Sequence, residues 1–386
     1  MPTVTPTDIT NPVHEIPGDA DNKIEDGIAL CLSGGGYRAM VFHVGVLWRL
    51  NETRLLSKID RFSTVSGGSI TAGILAQRWS DLDFTDGFAR KFVDAFVTPV
   101  RRMAATSVDV GAVALGSLLP GTVSERVIKA YRKHLFGKAT LQDLPDNPRF
   151  VFNATNLESG VLFRFSKPYV ADYRVGRILN PDIDLATAVA ASSAFPPVLS
   201  PCTLNLKNQK WQTEKGNDLT GPDYRHELKL TDGGVYDNLG LETAWKRYRT
   251  ILVSDAGGHV DADPDPGSDW LRGTARVLKL VDSQVRSLRK RQVIDALDAD
   301  TREGMYIGIR SDVADFPVAV LKASRSKSLE LADLPTRLDE MRDDVQERLI
   351  NWGYIVCDAG LRSHVLADEL ANTPATALPY PGRSLE

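Results

Sequence analysis

Apolar positions along the chain follow two rhythms. Short unbroken runs end at glycine or polar turns, while longer stretches repeat every three to four residues. Ile28-Ala29-Leu30-Cys31-Leu32 is the first short run and stops at three glycines, so it reads as a buried strand. From Tyr37 to Asn51 the period becomes helical, with Met40, Val44, Leu47 and Trp48 on one face and Val41 and Leu50 flanking it. Residues 62–65 read as the next strand. Residues 70–79 read as an apolar helix whose Ala72, Gly73 and Ala76 suit close burial. The same reasoning predicts helices over 86–96, 124–135, 185–193, about 269–299 and 338–352. It predicts strands over 150–154, 161–165, 228–230, 250–254 and 305–309.

These strands are apolar on both faces and alternate with helices. That pattern predicts an α/β fold with a mostly parallel sheet covered on both sides. Residues 202–228 are polar and irregular and read as an insertion. Residues 1–25 read as a flexible arm, 26–370 as one catalytic domain and 371–386 as a loose tail. Residues 98–120 are apolar and rich in small residues, with Arg101 and Arg102 near the start. A buried helix with a loop is the favoured reading there. A lid carrying Val108, Val110, Val113, Leu115, Leu118 and Leu119 is the alternative.

Composition alters this picture little. The chain has 386 residues, 42% hydrophobic and 25% charged, with a net charge of −4, which gives no footprint for nucleic acid. Three cysteines, Cys31, Cys202 and Cys357, are too few and too odd for a disulfide framework, and no metal-ligand spacing is present. The first 26 residues lack a basic start and apolar run, and no stretch is apolar enough to span a membrane. The reading is a cytoplasmic protein, with contact at a membrane surface left open. Arg286, Arg289, Lys290 and Arg291 form a basic cluster, read as a solvated helix face paired with Asp295 or Asp298.

Three loops carry the chemistry. The first is Ser33-Gly34-Gly35-Gly36-Tyr37-Arg38, between a strand and a helix, whose N–H groups can stabilise an oxyanion. Each such donor is typically worth ~3–4 kcal/mol. The second is Gly67-Gly68-Ser69-Ile70-Thr71, which resembles the Gly-x-Ser-x-Gly elbow with threonine in place of the last glycine. Ser69 is therefore the expected nucleophile. The third is Thr231-Asp232-Gly233-Gly234, where Asp232 can act as the base that activates a serine hydroxyl. The glycine loop also fits a variant dinucleotide fingerprint, but no carboxylate ends the second strand. Among six histidines His259 is the candidate for a Ser69/Asp232/His259 triad, which would follow the order Ser…Asp…His.

Together the loops resemble those of the patatin-like phospholipases. Gly34-Gly35-Gly36-Tyr37-Arg38 matches that family's oxyanion motif, Ser69 falls at its nucleophile, and Asp232-Gly233 at its Asp-Gly motif. Ala191-Ser192-Ser193-Ala194-Phe195-Pro196-Pro197 is similar to a further family segment that packs near the site. The resemblance implies a three-layer α/β/α fold and a Ser–Asp dyad without histidine, needing no metal or cofactor. It implies hydrolysis of lipid acyl esters of the phospholipase A or lysophospholipase type through an acyl-enzyme on Ser69. Gly34, Gly35, Gly36 and Arg38 would form the oxyanion hole, supported by Gly67, Gly68, Gly233, Gly234 and Pro196. Some bacterial members respond to signalling nucleotides. That remains an alternative here, although no motif marks such a site.

Overall fold

The computed structural model describes residues 24–108, 123–267, 269–374 and 376–386. An eleven-stranded sheet runs through its centre. Its strands are β1 (Glu25–Leu32), β2 (Arg61–Thr64), β3 (Arg149–Asn156), β4 (Leu162–Phe165), β5 (Tyr169–Asp172), β6 (Gly176–Leu179), β7 (Cys202–Asn205), β8 (Trp211–Gln212), β9 (Glu227–Asp232), β10 (Tyr248–Asp255) and β11 (Glu303–Gly308). The order across the sheet is β8-β6-β5-β4-β3-β2-β1-β10-β11, with β9 on β3 and β7 on β9. The central five, from β3 to β11, are parallel. Outward from β3 the sheet continues antiparallel through β4, β5, β6 and β8.

The helices used below are α1 (Gly36–Glu52), α2 (Gly67–Gln77), α3 (Thr98–Ala104), α4 (Val123–Tyr131), α5 (Leu185–Ser192), α6 (Gly234–Asp237), α7 (Glu242–Trp245), α8 (Trp270–Asp298), α9 (Arg325–Ala332) and α10 (Asp343–Gly360). The strand period of two sorts the core into layers. Leu30 and Leu32 of β1 point into the larger core with α1, α2, α5 and α10. Ala29 and Cys31 point the other way, against Leu241 and Ala244 at α7 and Val293 of α8. The fold is a three-layer α/β/α sandwich. Helix α1 is buried almost all round, which is why its apolar face extends beyond one stripe.

Several elements differ from the sequence reading. Residues 84–89 form a small hairpin, Phe84–Thr85 against Phe88–Ala89, rather than the start of a helix. Asp86 and Gly87 both take positive φ, 48° and 81°, which is the two-residue hairpin turn that Asp-Gly favours. The final long helix is Asp343–Gly360, later at both ends than expected, with Asp343 and Asp344 in its first turn. The polar stretch 202–228 contributes two strands, and β7 pairs along β9 and so braces the strand that ends in Asp232. Within 98–120, α3 and Val108 are described and Val108 is buried; Val110, Val113, Leu115, Leu118 and Leu119 lie outside the described residues. No described helix is long and apolar enough to cross a membrane.

Candidate active site

The chain turns sharply where β2 ends. Ser66 has φ 52° and ψ −119°, a backbone conformation that a residue with a side chain adopts only under constraint. The constraint is visible. The Ser66 N–H donates to the Ser192 carbonyl and Oγ, both at 3.2 Å. Helix α2 begins at the next residue. The Gly68 N–H bonds the Ser33 carbonyl at 3.1 Å, and a Cβ on Gly68 would lie 2.3 Å from the Leu32 carbonyl oxygen. Only glycine fits there, so the elbow is Thr64-Val65-Ser66-Gly67-Gly68, with threonine in place of the first glycine rather than the last.

The structure places Ser69 away from this corner. Ser69 is three residues past the corner, fully buried under the first turn of α2. Its Oγ is engaged with Thr64 Oγ1 at 2.9 Å and Ser192 Oγ at 2.8 Å, and Ser192 Oγ donates to the Asn153 carbonyl at 2.6 Å. Ser69 thus belongs to a hydroxyl network that holds the elbow from below. Thr71 plays a similar part, donating to the carbonyls of Met40 and Gly67.

Asp232 reaches the elbow through the sheet. Residues 149–152 of β3 pair with β2, and residues 154–156 pair with β9 along the same edge. Strands β2 and β9 therefore meet end to end beside β3, which brings Asp232 to the corner at Ser66. Asp232 is 1% exposed and its Oδ1 accepts the Gly234 N–H at 2.7 Å. Its other oxygen, Oδ2, is buried without a well-formed hydrogen bond. The Ser66 hydroxyl is nonetheless near enough to stabilise the carboxylate, so serine and aspartate are adjacent and loosely engaged. Burial pushes the Asp232 carboxyl up to about 7, with the Asp282 charge adding to the rise and the contacts to Gly234 and Ser66 opposing it.

The glycine loop faces this pair. Gly35 and Gly36 take φ values of 144° and 60°, which turn the chain from β1 into α1. Within the loop the donors differ. The Gly34 N–H bonds the Asn238 carbonyl at 3.1 Å. The N–H groups of Gly35, Gly36 and Gly67 have no hydrogen bond among the described residues. Arg38 is also committed. It is 3% exposed and its guanidinium donates to the Ala256 and Leu334 carbonyls, so it anchors the loop.

His43, on α1, was not among the expected site residues. It is fully buried, with Nε2 at 3.0 Å from the Ser33 carbonyl and Nδ1 at 2.9 Å from Ser254 Oγ. Burial lowers its pKa to about 4, so the ring is neutral, donating from Nε2 and accepting at Nδ1. Ser33 Oγ accepts the Ala256 N–H at 2.7 Å, completing the collar around the loop. The 192–194 segment ties the two halves together: the Asp232 N–H donates to Ala194, and the Gly233 N–H to Ser192. Pro196 follows this link and is half-buried. His259 is exposed and makes no hydrogen bond to Asp232, Ser66 or Ser69 among the described residues. His43 and Ser254 carry no motif of their own, and Ser66 lies three positions before Ser69 in the same glycine-rich stretch. Among the described residues no group of three or more His, Cys, Asp or Glu could hold a metal ion.

Comparison with known proteins places this geometry in context. No curated protein matches the chain in sequence. Among solved structures, human GIVD cytosolic phospholipase A2 in complex with methyl gamma-linolenyl fluorophosphonate is 16% identical, with a TM-score of 0.47 over 86% of this chain and 57% of that one. The chain thus spans a little over half of that phospholipase's length. VipD from Legionella pneumophila is also 16% identical, with a TM-score of 0.35 over 89% of this chain and 67% of that one. The family model for patatin-like phospholipase matches residues 30–245, from β1 through α7. That stretch is more than half of the chain and holds the glycine loop, the elbow and the Asp232 loop together: the chain belongs to the patatin-like phospholipase family.

Proposed function

We propose that the protein is a serine lipid acyl hydrolase, with Ser66 as nucleophile and Asp232 as its base. One observation carries this reading: a serine held at positive φ on a strand-to-helix corner, beside a buried carboxylate and facing free N–H groups. Asp232 takes the Ser66 Oγ proton as Oγ bonds to the ester carbonyl carbon. The developing oxyanion accepts hydrogen bonds from the N–H groups of Gly35, Gly36 and Gly67. The intermediate collapses, the alcohol leaves with the proton from Asp232, and an acyl-enzyme remains. Asp232 then takes a proton from water, whose oxygen attacks the acyl carbon, and Ser66 leaves protonated as the fatty acid is released. A base with a pKa near 7 is well matched to this shuttle at neutral pH.

Exposed apolar side chains near the site support a lipid substrate. Phe195, Val198 and Val235 are exposed, and they flank the segments that hold Ser192, Ala194 and Gly234. Three free, buried cysteines are in keeping with a cytoplasmic setting. No observation favours the triad with His259 or a nucleotide-switched enzyme. The test is hydrolysis of a p-nitrophenyl ester by the wild type and by Ser66→Ala, Asp232→Asn, Ser69→Ala and His259→Ala. Loss in the first two, with activity kept in His259→Ala and at least partly in Ser69→Ala, is the expected pattern. Full activity in Ser66→Ala would overturn the proposal.

A further inference from the structure

Helix α8 carries an apolar ridge that the fold leaves open. Trp270, Val277, Val281 and Leu288 fall within about 40° of one another at 100° per residue, a single stripe along the helix. All four are exposed, Trp270 by 80% and Leu288 by 58%. Leu278 and Leu280 widen the stripe and are also exposed. The body-facing side of the helix is elsewhere: Val293 is buried, Arg289 pairs with Glu242 at 2.8 Å and Arg286 donates to the Gly258 carbonyl. Arg289 therefore pairs with α7 and not with Asp295 or Asp298, the partners expected from sequence.

The charge around the ridge is one-sided. Residues 270–291 hold seven Lys and Arg against one carboxylate, Asp282, in a chain whose net charge is −4. The acidic stretch with Asp261, Asp263 and Asp265 lies before the helix, and Asp269 caps it. The cations fall mostly in the half from Arg276 to Arg291, where Arg291 lies about 60° from the stripe, Lys279 is on the far side, Arg276 donates to the Asp261 carbonyl and Lys290 lies over the Tyr306 ring. This half also adjoins the site. Asp282 is close enough to raise the Asp232 pKa, and Arg286 holds the loop whose Ala256 carbonyl anchors Arg38.

We infer that this ridge of α8 docks the protein on an anionic lipid surface. The stripe enters the boundary between headgroups and acyl chains, Arg291 beside it meets lipid phosphates and carboxylates, and the net positive charge of residues 270–291 draws the helix to the surface. The choice of a lipid surface over other partners rests on the charge complementarity and on the hydrolase reading above, which requires an ester drawn from such a surface to reach Ser66.

The test is co-sedimentation with vesicles of phosphatidylcholine, with and without about 30 mol % phosphatidylglycerol. Wild type, Val277→Asp with Val281→Asp, and Lys279→Glu with Arg291→Glu are compared. Light scattering gives the oligomeric state, and a soluble p-nitrophenyl ester reports the integrity of the site. Wild type should partition onto the anionic vesicles at least about tenfold more strongly than onto the neutral ones, and each double substitution should lower that partition by about tenfold or more. That loss should exceed any loss on the soluble ester. Unchanged vesicle binding by the variants, or no binding by wild type, would overturn the inference. So would a wild-type dimer that the valine substitutions dissociate, because the stripe would then be an interface between copies. Docking without any ester hydrolysis would defeat the hydrolase reading alone, and ester hydrolysis without docking would defeat the docking alone.

Discussion

Asp232 is where stability and chemistry oppose each other most directly. Burial raises its pKa from the ordinary 3.8 to about 7. Between those values the folded protein binds the proton more tightly than the unfolded chain. Asp232's contribution to stability is therefore complete below about pH 4 and is lost as the pH rises through 7. Under the proposed mechanism the base must be ionised, so kcat/KM should rise through about pH 7 over the window in which this contribution falls. The substitution Asp232→Asn keeps an acceptor for the Gly234 N–H and removes the buried charge. It should abolish turnover and, at pH 8, stabilise the fold by on the order of 2–4 kcal/mol in urea unfolding. Stability unchanged at pH 8 would show that the carboxylate is not paying the desolvation that its surroundings imply. His43 gives a second prediction. Its ring bonds the Ser33 carbonyl at the root of the glycine loop. His43→Ala leaves that buried carbonyl without its donor, at a cost of about 1–3 kcal/mol. Because the loop would loosen, kcat should fall about tenfold or more, with KM little changed.

The elbow and the loops show which parts of the site are legible in sequence. Asp232 is legible only in combination: an aspartate before two glycines fits an ordinary turn by itself, and it is the three loops together that carry the resemblance. The glycine loop was legible for the same reason. The serine proposed here as nucleophile is harder to read, because Ser66 and Ser69 both sit among glycines, and a relaxed motif accepts either. What separates them is where β2 stops: the corner falls on the residue with φ 52°, and Ser69 lies inside the helix that follows. The division of labour in the oxyanion loop was also hidden. The Gly34 N–H is taken by Asn238, and the Arg38 guanidinium by carbonyls 218 and 296 residues away in the chain, contacts that no local pattern encodes. Asp86-Gly87 differs: its turn chemistry is present in the sequence, but the helical period of the residues after it overlaps the turn. The elbow carries its own prediction. A methyl group on Gly68 would meet the Leu32 carbonyl oxygen at 2.3 Å, so Gly68→Ala must displace either β1 or the corner. Ester hydrolysis should fall about a hundredfold or more, as expected when a nucleophile moves by about 1 Å. Retained activity would mean that the corner tolerates movement.

Helices α1 and α10 tie the catalytic layer to the rest of the protein. They pack along much of their length on the face of the sheet that carries the elbow. Buried between them, Asp358 accepts hydrogen bonds from Arg49 Nε at 2.8 Å and Arg362 Nε at 2.9 Å, with both guanidinium groups nearly inaccessible. Asp358→Ala would take the shared carboxylate from two buried cations, leaving Arg49 with Glu52 and Arg362 with the carbonyls of Leu370 and Thr373. Unfolding in urea should show a loss of about 3–5 kcal/mol. The specific activity of the folded fraction should survive, because the glycine loop is anchored through Arg38, His43 and Ser33 and not through Asp358. Much of this layer was foreseeable from apolar periodicity. The antiparallel extension through β4, β5 and β6 was less so, because β5 and β6 are four residues each and carry no long apolar run.

The most direct test of the site is the position of a covalent label. An alkyl fluorophosphonate forms a stable adduct with an activated serine, and trypsin would release residues 62–78, a peptide containing Ser63, Ser66 and Ser69. Fragment ions distinguish the three. The adduct is expected on Ser66, absent from Ser66→Ala and present in Ser69→Ala. An adduct on Ser69 would contradict the assignment of the elbow, and no adduct on any of the three would contradict the proposal that this site is a hydrolase.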